Sequence, residues 1–195
     1  MPDIGLQTQA ERHFCFLVAE RGYRFTQSNP YHVRFESEKA SIELVYDGNR
    51  SFELGLLVGE RPVSADNQQF SIDEILRLRH APEAKRFSLI QVTSRKVMAS
   101  FVEQLAQLLR VYGEDFIAGN TQSFVELAEQ RRADVKAYAL ERDLRTARTE
   151  ADNAWRRKDY SAVVEALTPL RAALTAAEVG KLEFAEKQSR SKTSN

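Results

Sequence analysis

Between Tyr31 and Gly59 apolar residues alternate with polar ones in three successive runs, which constrains the fold more than any other stretch of the chain. A period of two belongs to a strand with one face buried. Val33 and Phe35 mark one face of the first run, Ile42, Leu44 and Tyr46 one face of the second, and Phe52, Leu54, Leu56 and Val58 one face of the third. The pattern predicts a three-stranded antiparallel meander. A two-residue loop of Asp47 and Gly48 would set Leu44 against Ser51 and Ile42 against Glu53, apolar against polar. A loop of three residues (Asp47, Gly48, Asn49), or of five reaching Ser51, puts the apolar residues of both strands on one face. The other face then carries Arg34, Glu36, Glu43 and Glu53.

The meander needs helices to cover it. Thr8 and Glu11 have capping-box spacing, Phe14, Leu17 and Val18 recur at helical intervals and Gly22 suits a helix end, so a first helix is predicted over 9–21. On it, Cys15 is expected to pack as a small apolar residue and His13 to lie near the surface; their spacing points them about 200° apart, unsuited to one metal. The segment Tyr23 to Pro30 is polar and ends in a turn signal, and Glu60 to Gln69 is expected to be a loop. Ser71 and Glu74 form another capping-box pattern, before a short helix whose last turn holds Arg77, Arg79 and His80. Phe87 to Val92 fits either a fourth strand or an approach to the next helix. That helix, capped by Thr93 or Ser94, carries Val97, Phe101, Leu105, Leu108 and Tyr112 on one stripe, as a partner for the sheet requires.

The second half is different in kind. No proline or glycine occurs from Thr121 to Lys158, which predicts one long helix or two meeting in the middle. Arg142, Arg145 and Arg148 share a side with interleaved carboxylates, the pattern of a solvated ion-pair face. Asp159 is placed to cap a further helix, Pro169 to kink or restart it, and Thr175 with Glu178 to open the last one. The alanine-rich helices with Trp155, Asp159 and Tyr160 resemble one helix pair of a tetratricopeptide-like array. The expected organisation is α+β: an α+β domain over 1–119 with a three- to four-stranded antiparallel meander packed against helices, an all-helical half over 120–187, and a flexible tail over 188–195.

Charge narrows the function classes. Twenty-eight basic residues balance 28 acidic ones, so no global field draws the chain to nucleic acid or an anionic membrane. Apolar runs such as Phe14 to Ala19 are far shorter than the roughly 20 residues of a membrane-spanning helix, and no basic stretch leads an apolar core at the N-terminus. A cytoplasmic location is expected, consistent with a single cysteine. Paired carboxylates such as Glu36 and Glu43, with His32 or Cys15, leave an enzyme as a rival reading, yet no residue is assigned a catalytic, cofactor-binding or metal-binding role.

Three phrases carry a family likeness: His32-Val33-Arg34-Phe35-Glu36-Ser37, Ser41-Ile42-Glu43-Leu44-Val45-Tyr46-Asp47 and Phe70-Ser71-Ile72-Asp73-Glu74-Ile75. Together with Lys158-Asp159-Tyr160, Leu167-Thr168-Pro169-Leu170 and Lys181-Leu182, they resemble small bacterial proteins of the immunity type, the partners of polymorphic toxins. The resemblance implies a non-enzymatic protein that binds another protein and neutralises a toxin by covering it; it assigns no functional residue. The rival in the same class is a helical scaffold or regulatory subunit, with a homo-oligomer as one outcome. Candidate contact residues, chosen for expected exposure, are Arg34 and Glu43 on the sheet and Tyr138 and Arg142 on the long helix.

Overall fold

The computed structural model describes residues 4–62 and 68–193, with side chains described as far as residue 190. The middle of the loop expected over Glu60 to Gln69 and the last two residues of the expected tail lie outside the described residues. The fold is α+β, a five-stranded antiparallel sheet followed by a helical half. Two compact units divide it, Met1–Arg131 and Arg132–Asn195.

In the first unit the strands β1 (Arg24–Asn29), β2 (His32–Glu36), β3 (Ala40–Tyr46), β4 (Leu54–Glu60) and β5 (Gln69–Ser71) pair in chain order. Val33, Phe35, Ile42, Leu44, Leu54, Leu56, Val58 and Phe70 are buried on one face. They form one core with apolar residues of α1 (Leu6–His13), α2 (Cys15–Arg21), α3 (Ile72–Leu78), α4 (Arg95–Tyr112) and α5 (Glu114–Ile117). Each fully buried Leu or Phe contributes about 1.5–3 kcal/mol relative to exposure, so this face is the main source of the unit's stability.

The meander gains a strand at each end. β1 occupies the polar segment expected to be a turn: Asn29 Oδ1 accepts from the backbone N–H groups of Tyr31 and His32, closing a hairpin around Pro30 and Tyr31. A bulge between Phe25 and Gln27 interrupts its period, which is why alternation does not reveal it. The β3–β4 loop is longer than the expected three or five residues. Tyr46 faces Leu54 and Leu44 faces Leu56, keeping the predicted face but moving Phe52 out of the strand, to a positive φ of 58°. The Asp47 carboxylate accepts from the N–H groups of Asn49, Arg50 and Ser51 and so curls the loop. These bonds, Ser51 foremost, hold Asp47 below its ordinary range.

Two other expectations are corrected near the N-terminus. Helix α1 starts at Leu6 after Gly5, so Thr8 and Glu11 are interior positions and not a cap. The helix breaks at Phe14, and α2 turns Phe16 and Leu17 inward while Cys15 is exposed, not packed. Gly22 does end α2, in the left-handed conformation. Residues 87–92 form neither a strand nor a helix. They are pinned by an isolated bridge from Gln91 to Glu53 and by Tyr46 Oη donating to the Val92 carbonyl at 2.7 Å.

A single helix, α6 (Thr121–Arg156), fills the stretch for which one or two helices were predicted. Its first turns carry Phe124 and Leu127 into the core of the first unit, which therefore extends beyond the expected boundary at Gly119-Asn120 to Arg131. In the second unit, the rest of α6 packs with α7 (Tyr160–Leu167) and α8 (Ala176–Thr193) around Ala147, Ala151, Ala154, Val163, Leu167, Leu182 and Ala185. Small residues let these helices approach closely, and Trp155, Tyr160 and Phe184 meet at ring distances of 5.5–5.7 Å. Asp159 caps α7 by accepting from the Ala162 N–H, and Thr175 and Glu178 form the predicted cap of α8. Residues 188–193, expected to be flexible, continue α8. A helix already nucleated by its cap and packed through Leu182 and Ala185 propagates into a polar stretch at little cost.

Candidate functional site

The sheet has a second face. Alternation directs His32, Arg34 and Glu36 of β2, Ser41, Glu43 and Val45 of β3, and Gly55, Leu57 and Gly59 of β4 away from the helical side. Arg34 lies directly opposite Glu43 in the β2–β3 ladder. His32 Nε2 is 2.8 Å from Glu43 Oε2, and Gln69 Nε2 donates to Glu43 Oε1 from β5. Arg34 Nη2 is 2.8 Å from Glu36 Oε1, and Arg61 pairs with the other oxygen of Glu36. Arg34 Nε, 3.4 Å from Glu43 Oε1, is near enough for Coulomb attraction but not aligned to donate.

Glu43 is the buried centre of this network at 4% exposure. That corrects the expectation of an exposed contact residue: β5 and its Gln69 close over the carboxylate from a segment expected to be loop. Around it, His32, Arg34 and Glu36 are half-exposed and Val45 is exposed. A carboxylate buried beside two cationic or ring donors and an amide is held in one orientation, so the charges around it are presented in a fixed pattern.

Next to the network, at the Arg24 end of β1, lies a polar basin of 680 Å³. Arg21, Arg24, Lys39 and Arg61 line it against Glu36 and Glu38. Arg21 is paired with Glu114 and Arg61 with Glu36; Arg24 and Lys39 have no side-chain partner among the described residues. Ile117, one of the lining residues, is held by the buried Tyr23, whose hydroxyl donates to the Ile117 carbonyl at 2.8 Å. Burial pushes the Tyr23 hydroxyl up to about 12, against a smaller opposing effect of Ser37. Gly119 approaches so closely that an added Cβ would lie 2.3 Å from Lys39 Cβ, and it holds a φ of +68°. Glycine is required there on both counts.

The other candidates are placed apart from this centre. Tyr138 and Arg142 belong to the second unit, on a stretch of α6 where every residue from Arg132 to Tyr138 is exposed. Tyr138 is 69% exposed, Val135 62%, and Arg142 pairs with its neighbour Asp143. Cys15 lines an apolar notch of 450 Å³ with Val18, Phe25 and Phe35. His32 points to the opposite face of the sheet from Phe35, so thiol and imidazole are not brought together. His32 and Glu43 do have the contact of a ring base and its orienting carboxylate. Among the described residues no group of three His, Cys, Asp or Glu side chains is arranged to hold a metal ion, and no helix is long and apolar enough to cross a membrane.

Sequence reasoning missed Arg24, Lys39, Arg61 and Gln69. The available signal was the hairpin chemistry of Asn29-Pro30, which implies a strand on its N-terminal side as well as after it. No protein-family model, curated protein or solved structure matches the chain.

Proposed function

We propose that this protein binds another protein through the polar face of its sheet, in the manner of an immunity protein that covers its partner. The observation that supports the reading is the network centred on Glu43: five strands backed by a single core hold Arg34, Glu36, His32 and Arg61 in a fixed, half-exposed charge pattern. Fixed complementary charges lose little side-chain freedom on binding and give both orientation and partner choice. Val45 and Leu57 supply apolar contact within the same face. The toxin-neutralising role rests on the family likeness and is the finer part of the proposal.

The test is capture of the partner from the source organism by the immobilised chain. Arg34→Gln is expected to reduce capture about tenfold, the scale of one interfacial charge contact. Arg142→Gln on α6 is expected to leave capture unchanged. A second reading, a helical scaffold, is favoured by the exposed Val135 and Tyr138 on α6. Loss of capture with Arg142→Gln or Tyr138→Ala, and retention with Arg34→Gln, would select that reading instead.

A further inference from the structure

The two edges of the sheet are treated differently. At β5, the Arg131 guanidinium donates to the Gln69 carbonyl and so occupies part of the edge. At β1, the outer edge faces no strand among the described residues, and Arg24 through Ser28 are all exposed. An open edge presents unpaired N–H and C=O groups to any extended chain. Natural edges are commonly blunted by charge, proline or a bulge; β1 has Arg24 at its start and the bulge between Phe25 and Gln27, but from Phe25 to Ser28 it carries neither charge nor proline.

The surfaces on the two sides of this edge differ in chemistry. On the core side lies the apolar notch formed by Cys15, Val18, Ala19, Phe25 and Phe35, in which Val18 is 48% and Phe25 37% exposed. On the other side, reaching round the Arg24 end of the strand to Gly22 and Ile117, lies the basin, in which the cations Arg24 and Lys39 and the carboxylate of Glu38 have no side-chain partner among the described residues. A strand added to β1 would send alternate side chains over the notch and over the basin. We propose that the β1 edge takes up an extended segment of a protein partner in which apolar residues alternate with acidic ones. A second copy of the chain fits less well, because β1 itself brings no carboxylate to meet Arg24 and Lys39. The inference rests on the protein-binding reading but uses a different surface from the Glu43 network.

The full chain is titrated against fluorescent synthetic peptides about eight residues long, near the length of a typical strand. One alternates valine with glutamate, one alternates valine with lysine, and one repeats the first with N-methyl groups on alternate amides. The valine-glutamate peptide is expected to bind at least about tenfold tighter than the other two, a difference set by charge for one and by lost backbone hydrogen bonds for the other. Arg24→Glu with Lys39→Glu is expected to abolish the preference for glutamate over lysine. Both residues are exposed, so the double variant tests charge without opening the core. Equal binding of all three peptides, or no binding at millimolar peptide, overturns strand addition. If Arg34→Gln still loses partner capture while no peptide binds, the sheet-face reading stands and the β1 inference falls. Peptide binding with partner capture insensitive to Arg34→Gln gives the reverse.

Discussion

Replacing Glu43 by glutamine in β3 and Glu53 by glutamine just before β4 makes the same chemical change at two places, with opposite expected outcomes. Glu43 is buried against His32, Arg34 and Gln69, and an amide would turn a donor toward groups that are themselves donors. Its loss is expected to cost about 1–3 kcal/mol in a denaturant titration. Glu53 is exposed and its substitution is expected to stay within about 0.5 kcal/mol. Leu54→Asp, one residue further on, places a charge where exposure is 0% and is expected to unfold the first unit, at a cost above about 4 kcal/mol. Equal melting temperatures for the Glu53 and Leu54 variants would contradict the strand register. That Arg34 and Glu43 share the polar face follows from two alternating runs and was legible in the sequence; their direct pairing depends on the β2–β3 register, which alternation alone does not fix. The burial of Glu43 was not, because it depends on Gln69, whose strand is three residues long and too short to show a period.

At the scale of elements, side chains that fasten one element to another matter more than propensity. Arg131 donates from Nε and Nη2 to the two oxygens of Glu74 at 2.6 Å each, reaches Gln68 and the Gln69 carbonyl, and lies 4.3 Å over the Phe70 ring. Burial pushes Glu74 up, but Arg131 and the Ser71 cap outweigh it and hold the carboxyl below its usual range. Arg131→Ala leaves Glu74 half-satisfied and is expected to destabilise the first unit by about 2–4 kcal/mol, whereas Arg132→Ala, at an exposed position, changes little. Comparable thermal shifts in both variants would remove the fastening role. In the second unit, the Arg148 guanidinium first, and then the Thr175 cap, draw Glu178 from 4.5 down to about 2. A depressed carboxylate pKa adds stability above its unfolded value, lost as pH falls through the folded one. The stability of α8 should therefore decline between about pH 4.5 and about pH 2, and Arg148→Ala should flatten that slope, as followed by helix circular dichroism. The caps Ser71–Glu74, Asp159 and Thr175–Glu178 were legible because each is a local spacing. The Thr8–Glu11 spacing misled, since Leu6 and Ala10 are drawn into the core and start the helix earlier. Strand β1 escaped notice because an exposed, bulged edge has no buried face to impose alternation.

The whole molecule divides where the core ends and not where the glycine is. Phe124 and Leu127 lie beyond Gly119-Asn120 in sequence but belong with Phe70 and Phe116, at ring separations of 6.3 and 5.3 Å for Phe124. Composition alone registers a change of character near that glycine without showing which helix turns follow which core. The α+β class and the helical second half were legible because long-range periodicity and glycine-free stretches report them directly. Partner contact through one face of one unit is a property of the molecule as a whole. Hydroxyl-radical footprinting of the captured complex tests it most directly, by comparing side-chain reactivity in the free and bound protein. His32, Val45 and Leu57 on the polar sheet face are expected to be protected, with Val135 and Tyr138 of α6 as reactive in the complex as in the free chain. Protection of Val135 and Tyr138 with the sheet face unchanged would contradict it.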